Sequence, residues 1–415
     1  MTAEKERVAN AGDRPGVAAP RTAMMIVFAV VVIDLIGFGI VIPLLPFYGE
    51  HFGASPDQVA YLISVFSLCQ LISAPVWGRL SDRIGRRPVL VMSLAGTVGA
   101  YIWMALVDSL TGLFLARAFA GAMAGSIATA FAYMADITTP ENRARGMGLV
   151  GAAFGLGFTA GPAIGGILGG ADPANINFQL PAYAAAGFSF VAFAAAAALL
   201  PESSPREFRD RARRDEPGRR HTGFMETLRR RPTMVAIGLN FLAVAGIAGI
   251  EAMFPIWSER EYGWSVSQNG FLFAYMGLIM AAIQGGLSGP ISRRIGEWGM
   301  VRLGLAALVV GLIATPLSPN ETWMILAVTV MAVGFGVATP GLNTLVSLSA
   351  PEDQQGGVMG VGRSAATVAR ILGPAAAGIL FAWLGRDWPF YMGAVIVGTA
   401  LIIAFGGRGP NGKSD

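Results

Sequence analysis

Long apolar runs recur along the chain, at 22–48, 57–77, 88–107, 110–135, 146–169, 178–200, 233–257, 266–288, 300–317, 321–348, 357–384 and 388–406. Each approaches the ~20 residues of helix needed to cross bilayer hydrocarbon. The pattern predicts an all-α membrane protein with twelve transmembrane helices. Basic residues between the runs set the topology. Arg79 to Arg87, Arg143, Arg145, Arg293, Arg294, Arg302 and the arginines of the 201–232 linker fall on one side. Only Arg260 and Arg386 fall on the other. Positive charge is retained in the cytoplasm, so both termini and the linker are expected there. Residues 1–21 read as a disordered cytoplasmic segment. The run after them is too long for a signal-peptide core and has no small-residue cleavage site, so it is expected to remain as the first span. Six spans then occupy 22–200 and six occupy 233–407, with 408–415 as a tail.

Composition agrees with this pattern. The 415 residues are 54% hydrophobic and 13% charged, with a mean hydropathy of +0.57. The 55 glycines suit helices that pack backbone to backbone in lipid. Cys69 is the one cysteine, so no internal disulfide can form. The formal charge of +4 lies mostly in the loops and is no nucleic-acid footprint. Residues 407–414 spell a phosphate-binding loop but lack the strand before it and the helix after it. With no nucleotide site, no cofactor and only two loop histidines, energy must come from an ion gradient.

The chain also repeats internally. Gly85 pairs with Gly296, Pro140-Glu141 with Pro351-Glu352, Met147-Gly148 with Met359-Gly360, and Gly161-Pro162 with Gly373-Pro374, each about 211 residues apart. Two parallel six-helix halves with a site between them account for such an offset. The chemistry is not repeated: Arg293 falls where the first half has Asp82.

The first inter-span loop reads Gly78-Arg-Leu-Ser-Asp82-Arg83-Ile-Gly85-Arg86-Arg87-Pro88. It resembles the loop between the second and third helices of the major facilitator superfamily. The fifth span, with Gly151, Gly155, Gly157, Gly161-Pro162, Gly165 and Gly166, resembles the pattern of the drug/proton antiporters in that superfamily. Gln70, the Leu80-Ser81-Asp82-Arg83 stretch and Ala132-Tyr-Met-Ala-Asp136 with Arg143 and Arg145 resemble the tetracycline/proton antiporter group. The resemblance covers residues 25–170 well and the second half loosely. It implies two pseudo-symmetric six-helix bundles and proton-driven export. It also implies acids in the ninth span, where 300–317 carries none.

Candidate chemistry concentrates at a few positions. Asp34 stands in the middle of the first span, where a carboxylate is costly and by default functional. Burial favours its neutral form and a nearby cation its charged form, so it can exchange protons as access alternates. Arg117 in the fourth span shares a helical stripe with Gly121 and Gly125; the resemblance links such an arginine to proton transfer. Asp34 and Arg117 are the proton-coupling candidates. Gln70, Glu251, Gln284, Asn343 and Arg370 are candidates for a substrate cavity, and Arg370 needs a partner, for which Glu251 is a geometric possibility. Gly78, Asp82, Arg83, Gly85, Arg86, Asp136, Arg143 and Arg145 are read as a cytoplasmic gate, in which Asp82, if it latches the outward-facing state, is expected to meet the start of the eleventh helix near Gly357 together with Arg143 or Arg145. The expected protein is a monomeric, proton-coupled exporter of an amphipathic small molecule in the inner membrane. Its partners are lipid, protons and substrate. A lipid flippase or a non-transporting sensor on the same fold are the alternatives.

Overall fold

The computed structural model describes residues 20–138, 142–172, 175–203, 224–351 and 354–406, without the side chains of Pro20, Arg143, Ala144, Arg145 and Phe224. The segment 1–19, most of the linker (204–223) and the tail lie outside the described residues, and so do the expectations made for them. Every regular element among the described residues is helical. The spans are α1 (Pro20–Val41, followed by a short helix Leu45–His51), α2 (Pro56–Ile84), α3 (Arg86–Leu106), α4 (Leu110–Met123, resuming as Ser126–Ile137), α5 (Arg143–Gly169), α6 (Gln179–Leu199), α7 (Arg231–Tyr262), α8 (Val266–Ala282), α9 (Ser288–Ala314), α10 (Glu321–Leu348), α11 (Gln355–Trp383) and α12 (Trp388–Gly406).

The repeat is visible in the helix ends. Ser55 and Gln58 form a capping box at the start of α2, and Ser265 and Gln268 form the same box at α8. Gly85 (φ +112°) breaks the chain between α2 and α3, and Gly296 (φ +68°) does so at the equivalent place inside α9. These left-handed positions favour glycine, which has no Cβ to clash. The basic first loop is therefore shorter than its sequence suggests. Helix α2 continues to Ile84, which leaves Gly78 inside the helix and Gly85 as the single pivot. Likewise α8 runs through a π turn at Ile283–Leu287 directly into α9.

Within the first half α1 packs on α5 and α6, and α3 on α6; within the second, α7 packs on α11 and α12, and α9 on α10 and α12. Between the halves the main seams are α5 on α8 and α2 on α11, which the repeat relates to each other. Both seams are closed at one end only. Gly378 of α11 lies so near α2 that a Cβ there would be 3.0 Å from Asp57 Cα, and Ser64 donates to the Ile371 carbonyl at 2.8 Å. On the other seam a Cβ at Gly166 would meet Gly270 Cα at 3.1 Å, and Ser267 donates to the Gly166 carbonyl. Toward the arginine-rich end the helices separate: Gly78, Gly148, Gly151, Gly285, Gly286, Gly356 and Gly360 face open space. The two bundles thus form a V that opens at the basic end.

Candidate functional site

Helix α4 is broken midway, and the break places a polar site in the membrane. Exposed backbone groups are costly in hydrocarbon, and side chains take up those freed here. Trp77 Nε1 donates to the Ala122 carbonyl at 2.7 Å, Ser93 Oγ donates to the Met123 carbonyl, and Gly125 N donates back to Ser93 Oγ at 3.0 Å. Glycine is required at 125 because a Cβ would lie 2.7 Å from the Trp77 ring. The resumed helix begins at Ser126, whose hydroxyl donates to Asp34 Oδ2 at 2.8 Å. Ser189 of α6 donates to Asp34 Oδ1 at 3.4 Å. Asp34 is 9% exposed. It sits beside the positive end of a helix dipole, where a carboxylate is favoured.

Arg117 is buried, and its Nε has no hydrogen-bond partner. Its guanidinium lies over the Phe66 ring, 4.6 Å from the centroid. It makes no ion pair with Asp34. Tyr101 of α3 is buried in the same bundle. Phe66, Phe38 and Phe158 form an aromatic wall beside this group. Sequence reasoning found Asp34 and Arg117 as charges inside apolar runs but missed Tyr101, Ser126 and Ser189, since uncharged polar residues in a span are common.

The second-half candidates line the opening. Arg370 and Glu251 are 3.7 Å apart and both half-exposed, which brings together the pair held open as a possibility. Asn343 is exposed on the face of α10 opposite Gly334 and Gly341, which pack against α9. Gln284 is exposed where α8 has parted from α5. Gln70 is partly buried in α2.

The glycines of α5 serve two interfaces. Gly157, Gly161 and Gly165 meet α1, and a Cβ at Gly161 would lie 2.6 Å from Gly39 Cα. Gly155 and Gly166 meet α8, at 3.2 Å from the Ala281 side chain and 3.1 Å from Gly270 respectively. Gly151 meets nothing.

At the basic end Arg86 bonds both Asp82 and Asp136, the latter at 3.0 Å, and Ser203 donates to Asp136. Glu202 accepts from the backbone N–H of Arg86 at 2.8 Å. With this end open, Asp82 pairs with Arg86 of its own half, and the contact with α11 expected for the outward-facing state is not made here. Arg143 and Arg145 fall outside the described side chains, and Arg83 is exposed without joining the cluster.

The closed end carries a cross-half ion pair that the sequence reading missed. Glu50 bonds Arg260 of α7 at 2.8 Å, and Arg260 also lies over the Phe381 ring of α11 at 5.1 Å. Arg386 supports it by donating to the Arg260 carbonyl at 3.1 Å while pairing with Glu261. An exposed pair contributes about 1 kcal/mol at most. Glu50→Gln is therefore expected to raise the population open at this end by no more than about fivefold. Faster labelling of a cysteine at Ser64, in a background lacking Cys69, would report it.

The Major Facilitator Superfamily model matches residues 27–374 and 303–414. The chain is 31% identical to the tetracycline resistance protein, class C, of Escherichia coli over 92% of this chain and 94% of that one. It is 27% identical to multidrug resistance protein 2 of Bacillus subtilis, over 93% and 94%. Among solved structures, the human organic anion transporter MFSD10 (TETRAN) superposes with TM-score 0.69 at 25% identity, covering 94% of this chain and all of that one. Twelve spans among the described residues in two repeated bundles, a V-shaped opening and these similarities make one assignment: the chain is a multi-pass membrane transporter that belongs to the Major Facilitator Superfamily.

Proposed function

We propose that this transporter exports an amphipathic small molecule in exchange for protons, by alternating access. In this reading it works as a monomer in a bacterial inner membrane, with the arginine-rich end and both termini in the cytoplasm. The observation that carries the reading is Asp34. It is a buried carboxylate whose two oxygens accept from Ser126 and Ser189. Such a group serves as a proton carrier if the hydroxyls hold its charged form and the surrounding apolar wall its neutral one. Protonation would alter the hold of α1 on the resumed half of α4 and on α6, and so bias one packing of the bundle over another. The V open at the basic end is the state that would admit substrate from the cytoplasm. Closure there would bring the wide ends of the two seams together, and opening at the far end would break the Glu50–Arg260 pair. The tetracycline and multidrug resistance relatives support a drug-sized cargo.

The test is substrate-driven proton movement in proteoliposomes holding the purified protein and a pH-sensitive dye. Tetracycline, organic anions and organic cations are supplied in turn. At least one is expected to move protons across a sealed membrane with no nucleotide present. Saturable uptake without proton movement would overturn the coupling.

A further inference from the structure

Two arginines on α11 face the opening, and the transport reading does not use them together. Arg363 and Arg370 are seven residues apart, so they stand on one helical line about 10 Å apart along the axis. Their direction follows from the packing of α11. Gly373 meets Gly249 of α7 and Gly378 meets Ala60 of α2, while Leu372 and Ile379 are exposed on the opposite, lipid-facing side. The line of Arg363 and Arg370 runs between the α7 and α2 contacts, toward the first half. The guanidinium of Arg363 confirms this: it lies 4.0 Å from the ring centroid of Phe131, on α4 of the other bundle.

The charges do not balance. Glu251 is the one carboxylate among the described residues that pairs with either arginine, and at 3.7 Å it holds Arg370 loosely. Arg363 has only the aromatic face of Phe131. A guanidinium stacked on a ring keeps its planar fork of donors free for a carboxylate, sulfonate or phosphate. We infer that Arg363 and Arg370 form an anion subsite in the cavity, and that this transporter takes amphipaths carrying an acidic group. Arg363 receives the anion against Phe131. Arg370, shared with Glu251, marks the deeper end. An anion held there touches both bundles at once and so senses their relative position. The inference rests on the transport reading above and narrows its cargo.

Equilibrium dye binding tests it. The full chain is placed in phosphatidylcholine nanodiscs, which carry no anionic headgroup to compete, without any proton gradient. Fluorescein and rhodamine 6G share a xanthene core and differ in charge, and fluorescence anisotropy reads both. Arg363→Gln is expected to weaken fluorescein by about tenfold, the size of one lost charge-assisted hydrogen bond, and to leave rhodamine unchanged. Arg363→Lys should recover part of the loss. Glu251→Gln, which frees Arg370, should tighten fluorescein. Absence of saturable fluorescein binding by the native chain, unchanged binding in both Arg363→Gln and Arg370→Gln, or equal loss of the two dyes would overturn the subsite. None of these readouts depends on proton coupling. Failure of the proteoliposome test leaves the anion subsite standing, and failure here leaves the coupling standing.

Discussion

Asp34→Asn is expected to abolish substrate-driven proton movement while the protein folds and inserts as before. The side chain is nearly isosteric, and its remaining oxygen still accepts from Ser126 or Ser189, so the packing of α1 on α4 and α6 survives. What disappears is the one group in this cluster able to lose a proton into a charged form that the two hydroxyls and the nearby helix N-terminus stabilise. Thermal melting of the purified variant should lie near the native value while the pH signal in everted vesicles falls to background. Full proton movement by the variant would remove Asp34 from the mechanism. Ser126→Ala separates positioning from carrying. It leaves the carboxylate in place with a weaker hold on its charge, so it should shift the pH dependence of transport and not eliminate it.

The second large effect separates two glycines of one helix. At Gly161 a side chain has no room, since even a Cβ would be 2.6 Å from Gly39 Cα, inside the first bundle. Gly161→Leu forces α1 from α5 and should destabilise the protein by about 1–3 kcal/mol or more, seen as a lower melting temperature and poor membrane yield. At Gly151, ten residues nearer the basic end, nothing lies within 4 Å. Gly151→Leu should fold normally and bind substrate, yet transport poorly, because the added side chain obstructs closure of the α5–α8 seam. Equal melting temperatures for the two variants would contradict the packing, and native transport by Gly151→Leu would mean that this end does not close as a seam. The glycine array of α5, which resembles one antiporter signature in sequence, therefore has at least two physical roles. Gly157, Gly161 and Gly165 pack on α1 within the first bundle, and Gly155 and Gly166 contact α8 of the second.

The sequence was sufficient for the architecture because the bilayer leaves few alternatives. Backbone groups must be satisfied within the segment, so an apolar run near 20 residues has to be a helix. The offset of about 211 residues then makes the second half a copy of the first. The charges inside apolar runs, Asp34, Arg117, Glu251 and Arg370, were legible for the same reason: their cost there singles them out. Partners were not legible. Asp82 pairs with Arg86 with the basic end open, and the contact with α11 was expected for the outward-facing state, so its partner depends on which end of the seam is open. The break in α4 was hidden in a continuous apolar run. Only the approach of Trp77 and Ser93 from α2 and α3 makes it tolerable, and that break puts Ser126 against Asp34. Arg370 was legible as a cation inside a span, whereas Arg363 in the same apolar run was not singled out. Packing against α7 on one side and α2 on the other turned them toward the first bundle, since a helix's own sequence gives the angle between two residues but not the direction that either one faces.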